Sequence, residues 1–218
     1  MLRLENVTYR YSKKGAAVLN DVSCLFEAGR LSAVTGPSGS GKTTLLSIIA
    51  GMDMPVSGDV YVNDERLRDL DLDRYRRENV AMIFQSYHLF PLLTAIENVC
   101  FPLEINGSPK QQAKLRAAEL LQAVGIGPEM HKRYPANLSG GEQQRVAIAR
   151  SLASGAKLLL ADEPTGNLDQ ANSHNIMDIL KKLAHDNDYC IVVVTHDMDA
   201  AAEADVIIKM RDGMLSHT

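Results

Sequence analysis

The sequence is poor in the features that mark several large classes of protein. It contains no tryptophan, and aromatic residues make up only 5% of the chain. No apolar run approaches the length of about 20 residues that a membrane-spanning helix needs, and we expect no signal peptide in the first residues. The formal net charge is −4, so the chain lacks the excess of positive charge that nucleic-acid binding requires. These absences favour a water-soluble globular protein without a nucleic-acid partner.

Cysteine is scarce as well. Cys24, Cys100 and Cys190 are odd in number, far apart and without the spacing of metal ligands. We therefore expect three reduced, buried thiols, as in a cytosolic protein. With 218 residues, of which 45% are hydrophobic, the chain is long enough for one domain or for a core with a large insertion.

The most informative stretch that is present follows the pattern GxxxxGK(S/T) at every fixed position. It reads Gly36-Pro37-Ser38-Gly39-Ser40-Gly41-Lys42-Thr43. An apolar run before it, 31–35, predicts a buried strand, and residues 44–50 after it predict a helix. Strand, glycine loop and helix in this order indicate a nucleotide-binding loop. The alternative is a Gly/Ser-rich loop that precedes a helix and binds nothing.

The residue types of this loop match the chemistry of phosphate binding. Glycine lets successive backbone N–H groups turn inward around a β-phosphate, and the helix adds its positive N-terminal end. We expect Lys42 to reach the β- and γ-phosphates. The Thr43 hydroxyl is expected to bind Mg²⁺, and Thr44 is a further donor near the α-phosphate.

An acidic pair follows the predicted buried strand 157–161. Four hydrophobic residues and then an acid form the Walker B arrangement, in which Asp162 faces the magnesium ion. Glu163 can polarise the attacking water as a general base. The alternative is that these acids only cap the helix that follows.

Two further polar residues come directly after predicted strands. Gln85 follows the strand 80–84, and its amide oxygen can reach a metal ion or the attacking water. His196 ends the strand 189–195 and can donate a hydrogen bond to a γ-phosphate. Taken alone, Gln85 can be a solvated strand end and His196 a structural histidine.

A second glycine pair opens a predicted helix. Ser139 is a suitable N-cap, and Glu142 lies three residues further on, so a capping box is one interpretation. Gly140 and Gly141 would each weaken a helix, however, which is a poor choice for capping alone. A second phosphate contact is therefore the other interpretation.

Tyr11 lies between the first predicted strand, 2–9, and the polar turn 12–15. Its ring can stack on an adenine base, because stacking needs only a flat face. A turn tyrosine that packs on the sheet is the simpler interpretation. Tyr9 is an alternative stacking residue, although strand alternation favours a place in the core. Residues 18–27 predict two more short strands.

The middle of the chain, 86–154, predicts a helical insertion. Thr94 opens one helix, and Ser108-Pro109 precedes a second that runs to Val124. The loop 86–93 carries more apolar groups than a plain connection needs, so it either packs internally or docks a partner. A further helix is predicted over 197–204.

Together these motifs resemble the ATP-binding subunit of ABC transporters across essentially the whole chain. The resemblance identifies Tyr11 with the adenine-stacking aromatic, Gln85 with the Q-loop and His196 with the switch histidine. Residues 138–142 match the LSGGx signature, and residues 167–169, which end in Asp169, match the D-loop. No motif except the phosphate loop, Walker A, is strong alone, but their order is highly specific.

The resemblance implies a fold and a set of partners. The fold would be α/β, a P-loop NTPase (RecA-like) core with an antiparallel β subdomain and an inserted helical subdomain. One nucleotide-binding domain would span 1–218, with its core in 1–85 and 155–218. The cofactors would be ATP and Mg²⁺. Two copies would form a head-to-tail homodimer, bound to an integral membrane permease subunit at the inner face of the cell membrane, so that the chain is cytoplasmic and peripheral.

The segment 163–169 reads EPTGNLD, which is typical of the lipoprotein-releasing, macrolide-export and cell-division ATPases. Because Glu163 and His196 are both present, two equivalent hydrolytic sites are expected. A non-transport ATPase that regulates a membrane-bound partner, as in cell division, is the alternative. A GTPase or small-molecule kinase is disfavoured, because no NKxD motif appears and neither class explains 138–142.

Overall fold

The structure is a computed structural model that describes residues 1–12 and 15–217. Lys13 and Lys14 of the predicted turn 12–15 lie outside the described residues. The strands are β1 (Leu2–Tyr9), β2 (Leu19–Phe26), β3 (Arg30–Thr35), β4 (Ser57–Val62), β5 (Glu65–Arg66), β6 (Val80–Phe84), β7 (Leu158–Asp162), β8 (Cys190–Thr195), β9 (Val206–Arg211) and β10 (Met214–His217). The helices are α1 (Lys42–Ile49), α2 (Leu72–Glu78), α3 (Ala95–Ile105), α4 (Lys110–Ala123), α5 (Gly140–Leu152), α6 (Gln170–Asn187) and α7 (Met198–Ala202).

Four strands form an antiparallel sheet in the order β2-β1-β4-β5. The prediction of two short strands in 18–27 is wrong, because β2 is one strand. The pairing of β1 with β2 shifts register, and Asp21 in β2 has a φ of 54°. A bulge of this kind interrupts the alternation of buried residues without ending the ladder, which explains the error.

The second sheet carries the site. Its order is β10-β9-β3-β8-β7-β6, and every pairing is parallel except that of β10 with β9. Strands β3, β7 and β8 are buried along almost their whole length, as in a sheet covered on both faces. Thr35 lies opposite Thr195, and Asp162 opposite both Phe84 and Val194. The segments that follow four strands therefore leave the sheet at one edge.

The hydrophobic core lies on both faces of this sheet. One cluster fills the space between the two sheets and surrounds α1, and the other joins the opposite face to helices α3 to α6. Cys24, Cys100 and Cys190 are buried and free, as predicted. Burial raises the pKa of the Cys24 and Cys190 thiols to about 11.

The predicted helical insertion, 86–154, contains α3, α4 and α5. Thr94 caps α3 in a capping box with Glu97, as expected of the residue that opens this helix. Helix α4 begins at Lys110 after the pair Ser108-Pro109, as predicted, with Pro109 as its N-cap, and it ends at Ala123, one residue before the predicted Val124. Ser151 near the end of α5 donates to the carbonyl of Met82 in β6 at 3.2 Å. The helices and the parallel sheet thus share contacts, and the division at 86 and 154 stays a prediction.

These elements confirm the expected α/β architecture. Helix α7 is shorter than predicted, because Asp197 is its N-cap and the helix ends at Ala202. In the part of the chain that the structure describes, none of the helices has both the length and the apolar character that crossing a membrane requires.

Candidate active site

A cleft of about 1020 Å³ opens at the edge of the sheet where these segments emerge. Twelve of the residues predicted for the site line it: Tyr11, Pro37, Ser38, Gly39, Gly41, Lys42, Thr43, Thr44, Gln85, Asp162, Glu163 and His196. Four further residues were not predicted: Val18, Phe84, Ser86 and His88. Phe84, Ser86 and His88 are close to Gln85 in the chain, and this proximity is the only feature of the sequence that could have indicated them.

The glycines of the phosphate loop are required by its backbone. Gly39 and Gly41 have φ angles of 79° and 107°, a region that residues with a Cβ rarely adopt. A Cβ at Gly41 would lie 2.8 Å from the carbonyl oxygen of Val18, and one at Gly36 would overlap the carbonyl of Met210. The Ser40 side chain does not line the cleft, since its Oγ lies on the Gly36 side of the loop.

Helix α1 begins at Lys42, so its N-terminus opens at the cleft. Lys42 is 8% exposed, and its ammonium donates to the carbonyls of Gly36 at 2.7 Å and Pro37 at 3.0 Å. A cation and a helix N-terminus at one loop suit a polyphosphate. The loop therefore fits the triphosphate of a nucleotide.

Thr43 and Asp162 bring two oxygen atoms together in the cleft. The Thr43 hydroxyl donates to Asp162 Oδ1 at 3.4 Å. Burial raises the pKa of Asp162, the charge of Glu163 adds to this effect, and the contacts with Thr43 and Lys42 oppose it. Hydroxyl and carboxylate oxygens are ligands that Mg²⁺ prefers.

The protein supplies only part of a magnesium coordination shell. Among residues 1–12 and 15–217 there is no group of three or more His, Cys, Asp and Glu side chains suited to a metal ion. Mg²⁺ is commonly held by one or two protein ligands together with substrate phosphates and water. The pair Thr43 and Asp162 fits a magnesium ion that arrives with a nucleotide.

The Glu163 carboxylate is fixed by its neighbours. Its Oε1 contacts His196 Nδ1 at 2.8 Å, and its Oε2 accepts hydrogen bonds from Thr195 Oγ1 at 3.0 Å and from the backbone N–H of His196 at 3.4 Å. Glu163 has a φ of 48°, a strained value of the kind that often occurs at functional sites. The N-cap of α6 is Asp169, so neither Asp162 nor Glu163 caps that helix. Thr195, which orients the carboxylate, was missed by sequence reasoning.

Gln85 is held by the segment that follows Glu163. Its Nε2 donates to Asn167 Oδ1 at 3.1 Å, and Asn167 Nδ2 donates to the carbonyl of Gln85 at 3.0 Å. The side chain lies at the wall of the cleft beside Gly166, where an added Cβ would be 2.7 Å from Nε2. Gln85 is thus in the cleft, with its amide nitrogen directed to Asn167.

Tyr11 is the tyrosine at the mouth of the cleft. The residue is 69% exposed, and its hydroxyl lies 2.8 Å from Thr44 Oγ1. Tyr9 is buried in the core and meets Tyr11 edge to face, with 5.1 Å between the ring centroids. The strand alternation correctly assigned Tyr9 to the core. The bond to Tyr11 also occupies the Thr44 hydroxyl that was expected to serve the α-phosphate.

The signature residues lie outside this cleft. Ser139 and Glu142 form the capping box: the Ser139 N–H donates to Glu142 Oε2 at 2.6 Å, and the Glu142 N–H donates to Ser139 Oγ at 3.3 Å. The bond from the Ser139 N–H to the carboxylate lowers the pKa of Glu142. A Cβ at Gly140 would lie 2.8 Å from the Tyr87 hydroxyl, and one at Gly141 would overlap the side chain of Asn172. Close packing against Tyr87 and Asn172 therefore explains why glycine occupies both positions.

Asp169 also lies outside the cleft. Its carboxylate accepts hydrogen bonds from the Asn172 backbone N–H and from Asn172 Nδ2, both at 2.8 Å. These contacts hold the first turn of α6 and lower the pKa of Asp169. Ser139, Gly140, Gly141, Glu142 and Asp169 are thus absent from the lining of the cleft around the phosphate loop, and Gly141 is buried.

Comparisons with known proteins agree with this geometry. The family model described as ABC transporter matches residues 19–166. The chain is 41% identical to the uncharacterized ABC transporter ATP-binding protein MJ0796 of Methanocaldococcus jannaschii, with 98% of this chain and 94% of that protein covered. It is 42% identical to the macrolide export ATP-binding/permease protein MacB of Burkholderia thailandensis, with 99% of this chain and 33% of that protein covered.

A solved structure is similar over the full length. The dimeric, post-hydrolysis structure of the MJ0796 cassette bound to ADP and Pi has a TM-score of 0.87 and 38% identity. The alignment covers 100% of this chain and 98% of that one. The cleft, the motifs around it and these matches lead to one conclusion: the chain belongs to the ABC transporter family and is an ATP-binding, ATP-hydrolysing cassette of that family.

Proposed function

We propose that two copies of the chain form a head-to-tail homodimer around two ATP molecules and drive a separately encoded integral membrane permease. The observation that carries this proposal is the position of the signature residues 139–142, which do not line the chain's own cleft. A two-fold pair can bring the signature turn of each copy to the open cleft of the other. The similarity to a cassette whose structure is dimeric supports this arrangement.

The residues of the cleft have distinct roles in this proposal. Tyr11 stacks on the adenine base, and the loop 36–43 with Lys42 binds the phosphates. Thr43 and Asp162 would hold a magnesium ion, which would neutralise charge at the phosphate oxygens. In the partner's site, Ser139, Gly140 and Gly141 contact the γ-phosphate, with Glu142 and Asp169 supporting their turns.

Hydrolysis depends on the groups at the ends of β6, β7 and β8. Glu163 accepts a proton from the attacking water, and the bonds from Thr195 and His196 keep its carboxylate in one orientation. His196 would donate a hydrogen bond to the γ-phosphate, and Gln85 would contact the metal ion or the attacking water. Loss of the γ-phosphate removes the group that bridges the two copies, so the dimer opens.

The permease would dock on an apolar groove beside the loop 86–93. The groove has a volume of about 380 Å³, and its apolar side chains include Met52, Met82, Phe84, Phe90 and Phe101. Leu92 in the same loop is 87% exposed. Phe84 lines both the groove and the nucleotide cleft, so one strand end can transmit the state of the nucleotide to a membrane partner. This binding would place the chain at the cytoplasmic face of the membrane.

The experiment is a pull-down with tagged Glu163→Gln protein, ATP and magnesium, in detergent-solubilised membranes of the source cell. We expect the capture of a polytopic membrane protein, identified by mass spectrometry. Leu92→Asp should abolish this capture, whereas the matched variant Leu115→Asp should not, because Leu115 is exposed on α4 away from the groove. Capture of soluble proteins alone would reject the permease partner.

A second measurement separates transport from regulation. The captured membrane protein and the cassette would be reconstituted together in liposomes, and ATP-dependent movement of candidate cargo would be recorded. Robust ATPase stimulation without any movement of cargo would favour the regulatory alternative, in which the ATPase controls a membrane-bound partner.

A further inference from the structure

Arg150, close to the C-terminal end of α5, is a half-buried cation whose contacts are unusual. Its Nη1 donates to the carbonyl of His88 at 2.5 Å, and its Nη2 donates to the carbonyl of Tyr87 at 3.0 Å. Within the described residues no carboxylate forms an ion pair with it. Burial lowers the pKa of Arg150, but an arginine stays charged in proteins. The guanidinium of Arg150, which is partly removed from water, therefore donates hydrogen bonds to two consecutive backbone carbonyls. These carbonyls lie 62 and 63 residues away in the chain.

The two residues that Arg150 contacts are themselves strained. Tyr87 has a φ of 57° and His88 a φ of 49°, so both adopt the left-handed conformation. This conformation is unfavourable for residues with a Cβ, and two such residues in succession need external support. The planar fork of a guanidinium can hold two neighbouring carbonyls in one orientation, which a lysine ammonium cannot do with the same geometry.

The strained pair joins the nucleotide cleft to the signature helix. His88 and Gln85 line the cleft, and the His88 ring lies against Phe84 with 4.8 Å between the centroids. On the other side, the Tyr87 hydroxyl would be 2.8 Å from a Cβ at Gly140, the first residue of α5. Helix α5 therefore contacts this turn from both of its ends, through Gly140 and through Arg150.

We propose that Arg150 is a positioning residue that holds Tyr87 and His88 in the left-handed conformation and so keeps Gln85 oriented in the cleft. The proposal rests on the proposed function, in which Gln85 acts on the metal ion or the attacking water. Arg150 itself touches neither substrate nor metal and acts through the backbone of the turn. The same contacts connect a copy's own cleft to the helix whose first residues serve the partner's site.

The first test compares Arg150→Met and Arg150→Lys with the parent. Both changes remove the fork, and the lysine variant keeps the positive charge. We expect turnover to fall about 10- to 100-fold in each, because small misplacements of reacting groups have effects of this size. Magnesium-free binding of a fluorescent ADP analogue should not change, since the phosphate loop has no hydrogen bond to Tyr87 or His88. Parental turnover in a folded Arg150→Met protein would overturn the proposal.

The second test asks whether Arg150 acts through the conformation of the turn. Glycine enters the left-handed region without a steric penalty, and alanine does not. Arg150→Met would be combined with His88→Gly and, as the matched control, with His88→Ala, because both remove the same imidazole. We expect the glycine double variant to turn over several-fold faster than the alanine one. Equal rates would overturn the proposal.

Misfolding of the Arg150 variants and a wrong assignment of the hydrolytic residues are each distinguished from a wrong inference about Arg150. If Arg150→Met fails to fold, as judged by circular dichroism, the same glycine and alanine comparison is made with Arg150→Lys. If the hydrolytic roles given to the residues of the cleft are wrong, Glu163→Gln will hydrolyse ATP normally. If only the inference about Arg150 is wrong, Glu163→Gln will be inactive while the Arg150 variants remain at the parental rate.

Discussion

Glu163 and His196 are joined across two neighbouring strand ends, with Glu163 Oε1 and His196 Nδ1 2.8 Å apart. The backbone N–H of Glu163 also donates to the carbonyl of Val194 in β8 at 2.9 Å. The carboxylate is therefore positioned by backbone pairing as well as by side-chain contacts. A group held in this way is ready to accept a proton from a water molecule without first losing rotational freedom.

Glu163→Gln should abolish most hydrolysis and keep ATP binding. Glutamine preserves the shape of the side chain and an oxygen that can face His196 or Thr195, but it cannot act as a base. We expect turnover to fall by about 10²- to 10⁴-fold, the usual contribution of a general base. Phosphate release and binding of a fluorescent ATP analogue measure the two effects. Glu119→Gln, on the exposed face of α4, is the control, and undiminished turnover in Glu163→Gln would remove the base assignment.

Ser139→Arg should block ATP-dependent dimerisation. The bulky cation would fill the space that the partner's γ-phosphate needs, while the phosphate loop of the same chain would still bind nucleotide. Light scattering in the Glu163→Gln background with ATP and magnesium measures the change in mass. Ser108→Arg, in the connection between α3 and α4, is the matched control. If Ser139→Arg forms dimers at the same ATP concentration as the parent, the head-to-tail arrangement is contradicted.

Tyr11 variants should separate stacking from hydrogen bonding. Tyr11→Phe keeps the ring and loses only the contact with Thr44, so nucleotide affinity should change little. Tyr11→Ala should weaken ATP binding by about 5- to 100-fold, in line with about 1–3 kcal/mol for a base stacked on an aromatic ring. Isothermal titration calorimetry measures both, with the exposed Tyr134→Ala as a control. If Tyr11→Phe also binds ATP weakly, the hydroxyl, and not the ring, is the group that contributes to ATP affinity.

Asp205 should make the stability of the fold depend on pH. Partial burial opposes its ionisation, but hydrogen bonds from the Leu31 N–H and His185, with the charges of His185 and Lys181, outweigh burial and lower the pKa of Asp205. A depressed pKa in the folded state gives stability that is complete above the unfolded value of about 3.9 and is lost as the pH falls through the folded value.

Asp205→Asn tests this dependence. Its Tm should lie below that of the parent above about pH 5, and the difference should narrow as the pH falls below about 4. Thermal melts followed by circular dichroism at pH values across this range measure the two Tm values. Asp186→Asn, at an exposed position on α6, is the control. A difference in Tm that stays constant with pH would show that Asp205 contributes through its shape and not through its charge.

Local patterns in the sequence predicted the features that are encoded locally. The glycine loop, the buried strands and the polar residues at their ends follow from residue type and spacing. The carboxyl ends of parallel strands share one edge of a sheet, and Gln85, Asp162, Glu163 and His196, which follow such strand ends, line one cleft. The error at β2 occurred where a bulge left no pattern in the sequence. The chemical roles of these residues stay predictions.

The tertiary structure alone decided which residues hold the site residues in place. Gln85 and Asn167 are 82 residues apart, and Arg150 is 62 residues from His88, so no local pattern links them. The structure also decided that the signature residues pack on Tyr87 and Asn172 instead of facing their own phosphate loop. These contacts depend on how α5 packs against the sheet and on the left-handed turn at Tyr87 and His88. The sequence by itself therefore determined the chemistry available at the site, and long-range packing determined how that chemistry is oriented.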